Sequence, residues 1–197
     1  MRSKLIAALL GAMLVSEVAS GAETETVFVV DSEVDAVDVT PGDGVCATAD
    51  GECTLRAAIL EANALQLVDA AASFDVVLPA GSFTLALPGP DEDEGLTGDL
   101  DVTFRGSIRG IGRRETIVSG DGTDRVFHVS PAQPPFELAQ LRVTGGRGGD
   151  VSGWSRGGGV LVQTGFSFHS LALRNVAIDG NHGGGFAIIG PTYTVQV

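Results

Sequence analysis

Cys46 to Asn63 reads CATADGECTLRAAILEAN, and the interpretation of the whole chain turns on it. The stretch holds the only two cysteines of the 197 residues and the only convincing amphipathic helix. Thr54 stands where a helix N-cap belongs, because its hydroxyl can accept from a free backbone N–H of the first turn. Leu55, Ala58, Ile59, Ala62 and Leu65 recur at spacings of three and four, which sets them on one side of a helix of about three turns. That apolar stripe needs a surface to cover. After it the chain becomes short β-type runs broken by glycine, so the stretch reads as a cap and the remainder as what it covers.

Working outward, residues 1–22 carry Arg2 and Lys4, an apolar run from Leu5 to Val15 and the small residues Ser20-Gly21-Ala22. This pattern predicts a secretory signal peptide cleaved near Ala22. The apolar run is too short to span a bilayer, and no later segment qualifies. In an exported chain, Cys46 and Cys53 are most simply a disulfide. Closing so short a loop stabilises a fold by roughly 2.5 kcal/mol in the chain-entropy picture. Two thiols with no histidine nearby do not make a zinc site.

Beyond residue 22 the chain holds 24 acids, 10 arginines and no lysine. Such a charge repels nucleic acid and anionic membranes. It also excludes a lysine nucleophile, Schiff base or catalytic base. A polyanion such as pectate would need a bound cation or a local arginine cluster to approach.

The residues Asp43-Gly44-Val45-Cys46, Gly51-Glu52-Cys53-Thr54-Leu55-Arg56-Ala57-Ala58-Ile59 and Glu61-Ala62-Asn63 together resemble the CSLREA domain. That domain stands at the front of bacterial exported proteins, adhesin-like and outer-membrane types among them, that continue as parallel β-helices. Thr54 replaces the family's serine, which keeps the cap. Ala57 replaces its glutamate, which removes the carboxylate that would complete a capping box. The resemblance implies a right-handed parallel β-helix behind an N-terminal cap.

Periodicity points to the same expectation. Val27–Val30 reads as a first strand, and an acidic loop follows, holding Asp31, Asp35, Asp38 and Asp43 and ending PGDG. Strands are then expected at Phe74–Leu78, Ser82–Leu87, Leu100–Phe104, Ser107–Ile108 and Thr116–Val118. Val118-Ser-Gly, Val143-Thr-Gly and Ile178-Asp-Gly recur after 25 and 35 residues, and Gly157-Gly-Gly-Val returns as Gly183-Gly-Gly-Phe after 26. Such recurrence matches one solenoid coil. The surplus in the middle copy, Gly145–Gly159 (GGRGGDVSGWSRGGG), reads as a loop at one corner.

A β-sandwich would also give short strands and turns, but the fixed period favours a right-handed parallel β-helix with a short N-terminal capping helix. The expected division is 1–22 signal peptide, 23–73 cap and 74–197 coils. The coils are expected to be incomplete at the C-terminus, because the chain stops at Val197 in a strand-like run. Leu85, Val102, Ile117, Val143, Leu161, Leu173 and Ile178 are expected in the core.

Chemistry is harder to locate. The aspartates Asp31, Asp35, Asp38 and Asp43 have the oxygen ligands calcium requires, though a solvated acidic loop is the ordinary meaning of such a run. Asp99 and Asp101 share one strand face and Asp121 and Asp124 lie one turn on, and paired carboxylates are what glycoside hydrolysis needs. All four sit in TGDLD and GDGTD contexts, where aspartate commonly bonds its own backbone. His128, His169 and His182 show no ligand or triad spacing. Arg105, Arg109, Arg113 and Arg114 form the one basic cluster. Trp154, the sole tryptophan, lies between Arg147 and Arg156 among glycines, where an indole can stack on a sugar or anchor a partner.

The leading expectation is an exported, non-catalytic protein of the cell surface, periplasm or outer membrane, devoted to adhesion or to glycan or partner binding and needing no cofactor unless calcium. The alternatives are a carbohydrate-active enzyme, lyase or hydrolase, working from Asp99 and Asp101, and the capping fragment of a larger surface protein.

Overall fold

The computed structural model describes residues 25–89, 92–130, 135–151, 154–155, 157–163, 169–189 and 193–196. The expected signal peptide and the terminal Val197 lie outside them. Strand β1 (Glu25–Val29) is followed by the acidic loop and by helix α1 (Leu55–Val68). Next come β2 (Ser73–Val77), β3 (Gly81–Thr84), β4 (Leu100–Val102), β5 (Gly106–Arg109), β6 (Thr116–Ser119), β7 (Phe127–Val129), β8 (Phe136–Ala139) and β9 (Arg142–Thr144). A short ribbon of β10 (Asp150–Val151) and β11 (Trp154–Ser155) interrupts the series. The remaining strands are β12 (Val160–Gln163), β13 (His169–Arg174), β14 (Ala177–Ile178), β15 (Phe186–Ile189) and β16 (Tyr193–Gln196).

The helix forms where its cap predicts. Thr54 Oγ1 accepts from Ala57 N at 3.1 Å, and the Cys46–Cys53 disulfide closes the loop in front of it. Yet α1 is not one-sided. Every residue from Leu55 to Ala62 is buried, including Arg56 and Glu61. The helix packs on β2 and β4, while its polar side chains are spent on loops that a hydrophobic pattern cannot anticipate.

Arg56 is bidentate to Asp35 and donates to the carbonyls of Gly95, Gly98 and Asp99. Glu61 accepts from the N–H groups of Gly42 and Gly44, two positive-φ positions in the PGDG turn. Asn63 donates to the Asp101 carbonyl and accepts from Thr103 N. One helix thus holds the acidic loop on one side and the segment from Gly95 to Thr103 on the other.

The strands form three sheets, each parallel throughout: β1-β2-β5-β8-β13-β16, then β3-β6-β9-β14, then β4-β7-β12-β15. The β10–β11 ribbon is antiparallel and separate. From β2 onward the chain visits the first, second and third sheets in turn. The recurring tripeptides are hydrogen-bonded neighbours: Val118 pairs with Val143, Val143 with Ile178, and Val160 with Phe186. Inward side chains of all three sheets fuse into one core, with Phe28, Phe74, Phe104 and Phe136 running through it at centroid spacings of 5.6 to 6.3 Å.

Two expectations are corrected. The fold is not the closed right-handed parallel β-helix solenoid with a capping helix that the recurrence suggested. It is three separate, open parallel sheets of six, four and four strands, layered on a common core with a single helix among the described residues. The antiparallel β-sandwich does not form either. Recurring tripeptides specify which residues pair within a sheet, but they carry no information about how one sheet meets the next. The second correction is Ile117, which faces away from the core while its neighbours Thr116 and Val118 are buried. Pairing of Val118 with Phe83 and Val143 sets that phase, and a one-residue shift exchanges the two faces of a strand.

Gly106 illustrates how tightly the layers stack. At φ +139° its backbone lies so close to β2 that a Cβ would fall 1.9 Å from the Phe74 carbonyl oxygen. Only glycine fits there.

Candidate functional site

Strand β4 reads Leu100-Asp101-Val102 and β7 reads Phe127-His128-Val129, and in-register pairing places Asp101 beside His128. Alternation sends the flanking residues into the core and these two to the opposite face. That face is covered too, because Gly95 lies against Asp101 and Leu60 of the helix. Asp101 is consequently 4% exposed and His128 8%.

His128 Nδ1 lies 2.8 Å from Asp101 Oδ1 and 3.7 Å from Asp93 Oδ1. On the other side of the ring, Nε2 lies 3.2 Å from Gln163 Oε1 at the end of β12. Next to this pair, Arg125 Nε stands 3.2 Å from Asp99 Oδ2 and 3.7 Å from Asp124 Oδ1, with both aspartates buried. Three buried carboxylates therefore face one guanidinium and one imidazole. Hydrogen bonding does not saturate them, since the buried Asp101 Oδ2 and Arg125 Nε have no hydrogen-bond partner among the described residues.

The electrostatic consequences follow from that imbalance. Burial, reinforced by the charges of Asp101 and Asp124, pushes the Asp99 carboxyl up to about 8 against the opposing pull of Arg125 and His128. The hydrogen bond to Asp101 raises His128 above the ordinary imidazole value, although its burial works the other way. Asp99 therefore carries a proton at neutral pH while Asp101 is engaged with the ring.

A pair of neighbouring carboxyl groups is the equipment of acid–base hydrolysis. Here both lie out of reach of a sugar oxygen, with Asp99 only 2% exposed. Asp93, Asp101 and His128 also offer one ligand atom each within 4.8 Å of one another, the only such group among the described residues.

The other sequence candidates fall elsewhere. Asp31 accepts from Cys53 N, Asp38 from Thr40 N and Ala47 N, and Asp43 from Val45 N. Asp35 takes the Arg56 guanidinium together with Ala86 N and Leu87 N. The four carboxylates are thus spent on separate partners, and among the described residues they form no group placed to hold one ion. Asp121 accepts from the Thr123 hydroxyl and N–H, which holds its carboxyl below the usual range in an exposed turn.

Arg147 is exposed and its backbone bridges to His182, Trp154 lies in the β10–β11 ribbon, and Arg156 is outside the described residues. Of the basic cluster, Arg109 approaches Glu137 at 3.6 Å. Arg113 and Arg114 instead line an open groove of about 310 Å³ with Arg142, Ala177 and Asp179. Arg142 is paired with Asp179, whereas Arg113 and Arg114 are exposed and carry no ion pair among the described residues.

His128, Asp93 and Gln163 were not legible as site residues from motif spacing, yet a signal existed. Asp101 and His128 are 27 residues apart, close to the 26-residue recurrence of the glycine runs, and each is flanked by apolar residues in a three-residue strand. Applying the recurrence to polar positions would have paired them.

No family model matches the chain, and the comparisons with curated proteins and with solved structures give no match either. The resemblance to the CSLREA domain therefore rests on the residues quoted for it.

Proposed function

We propose that this chain is an exported, non-catalytic surface protein that binds an acidic glycan or glycan-bearing partner. In this reading residues 1–22 direct export, residues 23–73 form a CSLREA-type N-terminal segment, and residues 74–197 present the binding surface. The disulfide suits an oxidising compartment. Among the described residues no helix is long and apolar enough to cross a membrane, which suits the same location.

The observation that carries the proposal is the groove of Arg113, Arg114 and Arg142. On a chain with net charge −13, two arginines without an acidic partner among the described residues are an exception to the prevailing field. Guanidinium groups recognise carboxylates and sulfates by paired hydrogen bonds, whereas a neutral sugar has no use for such a cluster. Burial of Asp99 and Asp101 favours binding over hydrolysis, because a polysaccharide cannot reach carboxyl groups this enclosed.

The test is titration of the protein with polygalacturonate and with a neutral glucan, monitoring reducing ends and unsaturated products in parallel. Polygalacturonate is expected to bind with an affinity that falls as salt rises, and the double variant Arg113→Ala/Arg114→Ala should weaken it about tenfold or more. Turnover of the polymer, or equal binding of both polymers by both proteins, would refute the reading.

A further inference from the structure

We propose that Asp93, Asp101 and His128 form a binding site for a divalent transition-metal ion of the zinc type. The inference is independent of the arginine groove and begins with the ring of His128. Gln163 Oε1 faces Nε2 at 3.2 Å, where the amide oxygen can accept from the ring and fix its orientation. Nδ1 lies 2.8 Å from Asp101 Oδ1, the separation of a hydrogen bond, and 3.7 Å from Asp93 Oδ1.

Without metal the Nδ1 proton bridges to Asp101; an ion that displaces it would meet one imidazole nitrogen and one oxygen each from Asp101 and Asp93, atoms that lie within 4.8 Å of one another. The arrangement reproduces what metal-binding histidines require: one nitrogen aimed at anionic ligands while the other is fixed by an outer hydrogen bond.

A second observation points the same way. Asp101 Oδ2 is buried in a residue only 4% exposed and has no hydrogen-bond partner among the described residues. Burying a carboxylate oxygen without a partner is costly, and coordination is one of the few ways to satisfy it. Asp93, with its side chain 88% exposed, would supply the ligand on the solvent side. One imidazole nitrogen with two carboxylates suits zinc or a neighbouring first-row ion better than calcium, which prefers an all-oxygen shell.

The experiment is calorimetric titration of chelator-treated protein with zinc chloride and, separately, calcium chloride, alongside Asp93→Asn and His128→Gln. Asp93→Asn removes an exposed ligand, so its unfolding midpoint without metal should match the parent. Expected are one zinc per chain, zinc favoured over calcium, and affinity reduced about tenfold or more in Asp93→Asn and further in His128→Gln. Absence of zinc binding, calcium bound more tightly than zinc, or zinc affinity unchanged in Asp93→Asn would each overturn the assignment.

Discussion

Two buried polar clusters share the segment from Gly95 to Asp101, and they are built on opposite terms. On the helix side, Arg56 places its five N–H donors on two oxygens of Asp35 and three backbone carbonyls, while Asp35 also takes Ala86 N and Leu87 N. On the strand side, Asp99, Asp101 and Asp124 compete for Arg125 and His128, and two polar atoms are left without a hydrogen bond among the described residues. The first cluster consumes its own polarity in holding the chain together. The second retains charge and hydrogen-bonding capacity for something else. Buried groups with displaced pKa values and unmet valences mark places where stability has been traded for a task.

The largest expected effect lies at Arg56. Replacing it with methionine strands the Asp35 carboxylate, 3% exposed, without its partner and frees three carbonyls. Loss of one member of a buried ion pair costs about 3–5 kcal/mol, so urea denaturation of Arg56→Met should show a fold at or beyond the edge of stability at 37 °C. A smaller effect is expected at Glu61, where Glu61→Gln keeps one acceptor oxygen for the N–H groups of Gly42 and Gly44 but loses the charge. Hydrogen bonds to charged groups are worth about 1.5–3 kcal/mol. The same measurement should therefore give a loss of about 2 kcal/mol, with hydrogen exchange rising first at those two amides.

How much of this was readable in advance depends on the range over which each feature is decided. Thr54 and the disulfide are local, and both stand where the sequence places them. Stacking register was legible because Val118, Val143 and Ile178 sit in matching tripeptides, and the pairing follows them. The relation between sheets was not legible, because nothing in a repeated strand encodes its corners. Nor were the duties of Arg56 and Glu61, whose partners lie 17 to 43 residues away. Asp99 and Asp101 stood out as a carboxylate pair, but their enclosure depends on α1 and on Gly95, which no alternation pattern shows.

The contrast between the two clusters is tested most directly at Asp99, by urea unfolding of chelator-treated parent and Asp99→Asn at pH 5 and pH 8. The folded protein holds the Asp99 proton up to a pH of about 8, whereas an unfolded aspartate releases it near 4. Its contribution to stability is thus fully present below about pH 4 and is lost as pH rises towards 8, and the raised His128 works in the same direction. The parent should lose stability between pH 5 and pH 8, of order a few kcal/mol. Asp99→Asn should be as stable as the parent at pH 5, more stable at pH 8, and much flatter between them. An Asp99→Asn protein destabilised to the same extent at both pH values would contradict the account, since Asp99 would then belong with Arg56 among the groups that hold the fold together.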